Sequence, residues 1–328
     1  MGKLAFVFPG QGSQHIGMGR DAAERWECAA QVFARASRAL GFSVEDLVFG
    51  GSESELQITE NTQPALLAAC CALAAPLLDG GARPDVAAGL SIGEYAAHVA
   101  AGTFSFEDAV RTVRKRGKYM QEAVPLGEGG MAAIIGLGAD AVEECCREAA
   151  AAVRARLAGG AELGGAEAAA VVEPANYNCP GQIVIAGATA ALKAAMELCL
   201  SRGAKRALAL PVSAPFHCSL LRPAGEKLDA ALAEVAFRDM AIPVVSNADA
   251  KRVSDSALAR GLLVRQVSAP VLWEQCVRAM LEDGVDTFVE IGPGKTLAGF
   301  IRKIDRGAAV LNVSDAGTAE EAIRALSK

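Results

Sequence analysis

The residues 89–93, Gly-Leu-Ser-Ile-Gly, place a serine between two glycines where a strand-like run gives way to a helix-like one. That spacing suits a nucleophile elbow: the turn is sharp, and small flanking residues let neighbouring backbone approach. The Ser91 hydroxyl would project from the turn, and the N–H groups opening the helix would face a developing oxyanion. An ordinary Gly/Ser turn has the same spacing, so it is the strand–turn–helix setting that favours chemistry. A serine nucleophile needs a base, and the chain has three histidines, His15, His98 and His217. His15 sits in a glycine-rich loop. His98 follows Ser91 by seven residues, about two helical turns, and is too far along the helix to reach it. His217 ends Pro-Val-Ser-Ala-Pro-Phe-His (211–217), an extended or turning stretch of the kind that holds catalytic groups, and is the base by elimination; a histidine without a role is the competing reading.

Phe-Pro-Gly-Gln-Gly-Ser-Gln (8–14) follows the first strand-like run and makes a tight loop where α/β proteins place ligands. Gln11 and Gln14 could bond substrate or supply an oxyanion donor, and the absent G-K-[ST] ending rules out a P-loop. On the helix after residue 105, Arg111, Arg114, Lys115 and Lys118 share one arc, whereas Arg116 lies about 140° from Arg111 at about 100° per residue. The arc reads as a solvated face, or as a dock for an acidic protein. Arg116 is expected to point toward apolar neighbours, where a buried guanidinium requires an anion: a substrate carboxylate or a structural salt bridge.

These groups need a scaffold, and short β-type runs alternating with longer helical ones predict an α/β protein. Strands are expected at 4–8, 85–90, 242–246 and 287–291, and helices at 61–78 (with Pro64 in its first turn), 92–101 and from the Ser105/Asp108 cap to about 123. Between 127 and 210 the order changes to strand 131–137, helix 139–157, strands 170–174 and 182–186 around a turn-rich Asn-Tyr-Asn-Cys-Pro-Gly, helix 189–201 and strand 205–210. That β-α-β-β-α-β order predicts a ferredoxin-like small domain, 127–210, inserted into a large α/β-hydrolase-like domain, 1–126 and 211–328. The Gly/Ala-rich stretch 158–169 is expected to be a loop.

Composition narrows the function. Apolar residues at 52% and charged residues at 21% permit a sizeable core, while a net charge of −6 and pI near 5.3 argue against nucleic-acid binding. The longest apolar run, 65–78, falls short of the ~20 residues a membrane span needs, and no signal peptide is visible. Nine cysteines, odd in number and without CxxC, fit reduced thiols in a cytoplasmic protein and no metal site.

Eight ordered blocks extend the reading: FPGQGSQ (8–14), NTQPALLA (61–68), GLSIGEYAA (89–97), RGKYMQEAVP (116–125), NYNCPGQIVIAG (176–187), PVSAPFHCSLL (211–221), RQVSAPVLWE (265–274) and EIGPGKTL (290–297). Together they resemble the malonyl-CoA:acyl carrier protein transacylases over nearly the whole chain. The resemblance implies Ser91 as nucleophile, His217 as general base and acid, Arg116 as partner of the malonyl carboxylate, and Gln11 with the Ile92 N–H as oxyanion hole. It also implies that a main-chain carbonyl at Gln266, and no carboxylate, orients the histidine. Gln63, Asn176 and Phe216, inside the same blocks, are expected to line the pocket. Malonyl-CoA and acyl carrier protein are the implied partners of a cytoplasmic monomer that uses no cofactor, nucleic acid or membrane. Leu90 departs from the pattern, since many members have histidine there. A thioesterase using the same dyad, or an idle carrier-binding subunit, are the competing functions.

Overall fold

The structure, a computed structural model, describes residues 2–157, 167–212 and 214–327. Most of the Gly/Ala-rich stretch 158–169 therefore lies outside the described residues. The strands in chain order are β1 (Lys3–Phe8), β2 (Val86–Gly89), β3 (Gly129–Ile135), β4 (Val172–Cys179), β5 (Gln182–Ala188), β6 (Arg206–Ala209), β7 (Val244–Val245), β8 (Arg252–Val253), β9 (Val285–Ile291) and β10 (Ala309–Val313). The chain divides into two compact units, 1–118 with 230–260 and 276–328, and 119–229 with 261–275.

The first unit is built on a six-stranded sheet in the order β10-β9-β1-β2-β7-β8, parallel except for the β7–β8 pair. Residues 5–8 of β1 are all buried, as the run Ala-Phe-Val-Phe requires of a strand covered on both faces. The helix Thr59–Asp79 is long and apolar enough to cross a membrane by length and composition, yet most of its apolar window is buried within the protein. It begins two residues earlier than expected, so Pro64 sits beyond the first turn, where a proline withholds one hydrogen bond.

The consequence for function lies at the carboxyl ends of three adjacent parallel strands. The loop 8–14 leaves β1, the serine turn leaves β2, and a turn at 246–251 leaves β7. Neighbouring parallel strands end side by side, so these three segments must meet.

In the second unit, β4-β5-β3-β6 form an antiparallel sheet, and the helices Ala139–Leu157 and Thr189–Ser201 pack on it. Alternate residues Ala132 and Ile134 of β3 join Val142, Cys145, Ala149, Ala191 and Ala195 of the helices in one buried cluster. The element order agrees with the pattern read between 127 and 210. The strand expected at 170–174 is shifted: β4 begins at Val172 and runs on through Asn176 to Cys179, so the turn is only Pro180-Gly181, with Gly181 at φ 72°. Bulges between Pro174 and Asn176 and between Tyr177 and Cys179 let these turn-type residues stay in the ladder. The backbone of Asn176 and its neighbours also bridges to Val271.

Gly89 and Gly93 are fixed by space. A Cβ on Gly89 would lie 2.0 Å from the Gly93 carbonyl carbon, and one on Gly93 would lie 2.2 Å from the Phe8 carbonyl oxygen. Gly93→Ala should therefore destabilise the protein by about 1–3 kcal/mol. Gly261→Ala, in open space on a helix, should stabilise it by about 0.5–1 kcal/mol. Urea unfolding of the two variants checks both signs.

Candidate active site

Ser91 is placed by the turn that joins β2 to the helix Gly93–Ala100, and its own backbone is left-handed, φ 55°. Such a conformation costs a non-glycine residue about 1–3 kcal/mol and persists only where the surroundings impose it. The missing Cβ atoms of Gly89 and Gly93 let β1, β2 and the helix close to contact distance. Asn247, fully buried after β7, supplies the rest: its Oδ1 accepts the Ser91 N–H at 2.7 Å, and its Nδ2 donates to the Gly89 carbonyl at 2.8 Å. Asn247 N–H in turn donates to Glu94 Oε2 at 2.9 Å, from the first turn of the elbow helix. The strand prediction for 242–246 stopped one residue short of Asn247; a short polar residue just past a strand end was the available signal.

Among the described residues, the Ile92 N–H donates to no carbonyl or side chain, because it opens the helix. The loop carrying Gln11 lies directly against the elbow: a Cβ on Gly10 would be 2.6 Å from Leu90 Cδ2 and 2.8 Å from the Leu90 carbonyl oxygen. Gln11 is half-buried, and the loop closes on itself through Gly12 N–H to Gln14 Oε1 at 2.7 Å and Ser13 Oγ–H to the Gly10 carbonyl at 2.9 Å. Leu90, next to the nucleophile, is half-buried and packs over Gly10.

Arg116 is 1% exposed, whereas Arg111, Lys115 and Lys118 of the same helix are exposed, as the helical arc predicts. Its expected apolar surroundings are corrected by the structure. Nη1 donates to Gln63 Oε1 at 2.9 Å, Nη2 donates to Ser91 Oγ at 3.1 Å, and the guanidinium stands 5.6 Å from the centre of the Tyr95 ring. Burial lowers the guanidinium pKa, with Tyr95 and Glu94 opposing the shift. The arrangement holds a planar cation at the nucleophile, and Gln63 fixes its orientation. The basic arc has ordinary surface roles: Arg111 pairs with Asp108, Lys115 with Glu234, and Arg114 covers the Phe42 ring.

In the second unit His217 is 3% exposed and also left-handed, φ 63°. Its Nδ1 lies 2.8 Å from the main-chain oxygen of Gln266, itself fully buried. A carbonyl only accepts, so Nδ1 carries the proton and Nε2 presents the lone pair a base needs. Neighbouring contacts hold this segment: Ser219 N–H and Oγ–H both donate to Glu173 at 2.7 Å, and a Cβ on Gly129 would strike the Pro215 ring. Phe216 and Asn176 are buried in this unit, the latter on β4. Cys218, the nearest thiol in sequence, donates to the Pro215 carbonyl, and burial pushes its pKa up to about 12, which leaves it a poor nucleophile.

The other histidines go elsewhere. His15 is exposed. His98 is buried, with Nδ1 3.0 Å from Thr103 Oγ1 and Nε2 3.9 Å from Glu94 Oε1.

A strained serine elbow on a parallel sheet, with a buried arginine at its hydroxyl, belongs to the acyl-transfer class, and the family model described as acyl transferase domain matches residues 5–324. The malonyl CoA-acyl carrier protein transacylase of Bacillus subtilis is 43% identical over 328 residues, spanning 100% of this chain and 98% of the relative. That of Escherichia coli K12 is 46% identical over 305 residues, 93% of each. A malonyl-transacylase solved in complex with its type II PKS acyl-carrier protein superposes with a TM-score of 0.91 at 41% identity, covering 98% of this chain and 99% of that one. The chain belongs to the malonyl CoA-acyl carrier protein transacylase family.

Burial pushes the His98 pKa down to about 3, against about 6.5 unfolded. The unfolded chain therefore binds a proton in that window that the folded chain refuses, and stability falls as pH drops from about 6.5 toward about 3. His98→Gln should flatten this acid limb, by up to about 1.4 kcal/mol per pH unit, in urea unfolding measured across the window.

Proposed function

We propose that this chain moves malonyl from malonyl-CoA, through an ester on Ser91, to the phosphopantetheine thiol of acyl carrier protein. The observation that carries the reading is Arg116, a buried cation within hydrogen-bond distance of the Ser91 hydroxyl, where the far carboxylate of a short diacid would end. The names of its relatives and the complex of a similar transacylase with its carrier protein support the same donor and acceptor.

The sequence of bonds follows. His217 Nε2 takes the Ser91 proton as Oγ attacks the thioester carbonyl, and the oxyanion is held by the Ile92 N–H and the Gln11 side chain. Collapse breaks the carbon–sulfur bond, the imidazolium returns its proton to the coenzyme A sulfur, and malonyl-serine remains. The carrier thiol then gives its proton to His217 and attacks the ester; carbon–oxygen cleavage restores Ser91 with that proton. Arg116 pairs with the malonyl carboxylate throughout, the Gln266 carbonyl keeps the His217 tautomer, and Gln63, Asn176 and Phe216 line the pocket. The scheme needs neither metal nor cofactor. It suits a cytoplasmic monomer that engages neither membrane nor nucleic acid. We assign 127–210 to a ferredoxin-like domain inserted in an α/β-hydrolase-like domain, 1–126 and 211–328, for which the antiparallel order β4-β5-β3-β6 is the support.

Intact-mass analysis after mixing with malonyl-CoA tests the core claim. The parent should gain a malonyl adduct on Ser91 and lose it only when phosphopantetheine-bearing carrier protein is added, whereas Ser91→Ala should gain none. Loss of the adduct to water at the same rate would mark a hydrolase, and an adduct on Ser91→Ala would place the nucleophile elsewhere.

Arg116→Ala separates substrates by charge. Removing one partner of a buried pair costs ~2–5 kcal/mol, so malonyl kcat/KM should fall about 30- to several-thousand-fold. Acetyl transfer, which has no carboxylate to lose, should be spared or rise. Equal losses for both substrates would make Arg116 structural.

A further inference from the structure

The elbow depends on a side chain outside its own motif. Asn247 spans the turn with both ends of one amide: Oδ1 takes the N–H of Ser91, and Nδ2 gives to the carbonyl of Gly89, two residues earlier. It thereby gives the Ser91 N–H and the Gly89 carbonyl their partners across the turn, while the Ser91 carbonyl accepts the Glu94 N–H at 3.1 Å. Asn247 is itself fixed three ways. Its N–H is held by Glu94, which is fully buried on the elbow helix. The turn 246–251 is closed by Ser246 N–H to the Lys251 carbonyl at 3.0 Å and Ala250 N–H to the Ser246 carbonyl at 2.9 Å. Cys276 Sγ donates to the Ser246 carbonyl at 3.4 Å. Ala250 closes this turn in a left-handed conformation, φ 55°. Among the described residues the left-handed non-glycine positions are Ser91, His217 and Ala250, so the turn that carries Asn247 holds the same rare strain as the two proposed catalytic residues.

The bonds have a chemical consequence. With its N–H committed to Asn247, Ser91 offers none to a substrate oxygen, and the next N–H, that of Ile92, is the one the elbow leaves open. We infer that Asn247, locked by Glu94, is the positioning residue that sets the direction of the Ser91 hydroxyl and of the Ile92 N–H. This rests on Ser91 being the nucleophile. It adds a residue from a third strand end to the machinery of the reaction, acting through the backbone and touching no substrate.

The polarity of the amide supplies the test. Asn247→Asp keeps the shape. Its neutral acid can accept from Ser91 N–H and donate to the Gly89 carbonyl, as the amide does, whereas its carboxylate sets an oxygen against that carbonyl. The titratable and charged groups around this position are Glu94 and, beside it, His98 on the elbow helix, Cys276 on the helix Trp273–Glu282, Asp249 in the same turn, and Arg116 beyond Ser91. Asn247→Ala removes both bonds at every pH.

Single-turnover acylation by malonyl-CoA is measured for parent, Asn247→Asp and Asn247→Ala from mildly acid to mildly alkaline pH, with the adduct located by mass. The ratio of Asn247→Asp to parent should fall by about 10²-fold as its carboxyl ionises, the cost of a small misplacement at a reacting group. Asn247→Ala should stay about 10²-fold below parent with a flat ratio, and KM should be unchanged in both. Titration of the shared base cancels in each ratio. If both variants acylate at the parental rate, or both ratios are flat with pH, Asn247 does not aim the nucleophile and the inference fails. If the parent itself forms no adduct on Ser91, the functional reading fails and takes this inference with it.

Discussion

Everything at this site hangs on one unfavourable backbone conformation, the left-handed turn at Ser91. A side chain on a smooth strand-to-helix junction would be folded back among its neighbours. The left-handed residue instead lifts its hydroxyl out of the junction. The conformation is costly alone, and three features enforce it together: the bare Cα of Gly89 against Gly93, the bare Cα of Gly93 against the Phe8 carbonyl, and the two-ended amide of Asn247. Each hydrogen bond contributes about 0.5–1.5 kcal/mol, so the pair of amide bonds is of the same size as the strain it opposes. The six-stranded sheet matters because it delivers the ends of β1, β2 and β7 side by side.

Electrostatics complete the arrangement from a different direction. Arg116 arrives on a helix where Arg111, Lys115 and Lys118 face solvent, and it is held by neutral acceptors at the nucleophile, Gln63 Oε1 and Ser91 Oγ. A guanidinium has no acceptor of its own, so contact with Ser91 Oγ leaves that oxygen able to give its proton away. His217 shows a parallel economy. Its buried ring is oriented by a main-chain carbonyl of Gln266, which fixes the tautomer without burying a carboxylate beside it. His98, buried and uncharged beside Glu94, shows what the same residue type does when it only supports the elbow helix.

The sequence by itself determined a good deal. Alternation of short apolar strands with longer helices gave the α/β class, and the spacing of Gly89, Ser91 and Gly93 gave the elbow, because close approach of backbone is a local demand that only glycine meets. Helical phase alone separated Arg116 from Arg111, Lys115 and Lys118. Elimination among three histidines left His217. What only the tertiary structure decided depends on chain segments far apart in number. The neighbours of Arg116, expected to be apolar, are polar because a helix some fifty residues earlier brings Gln63 to it. β4 runs past its expected end because Asn176 and Asn178 disfavour strands locally, while pairing with β5 and two bulges keep them within it. Asn247 lies 156 residues from Ser91, and its own segment shows only a short polar residue past a strand end, with no sign of which turn it clamps. Periodicity and glycine spacing report what a residue's near neighbours require; a hydrogen bond across the sheet reports where the topology brings strand ends together, which no local pattern encodes.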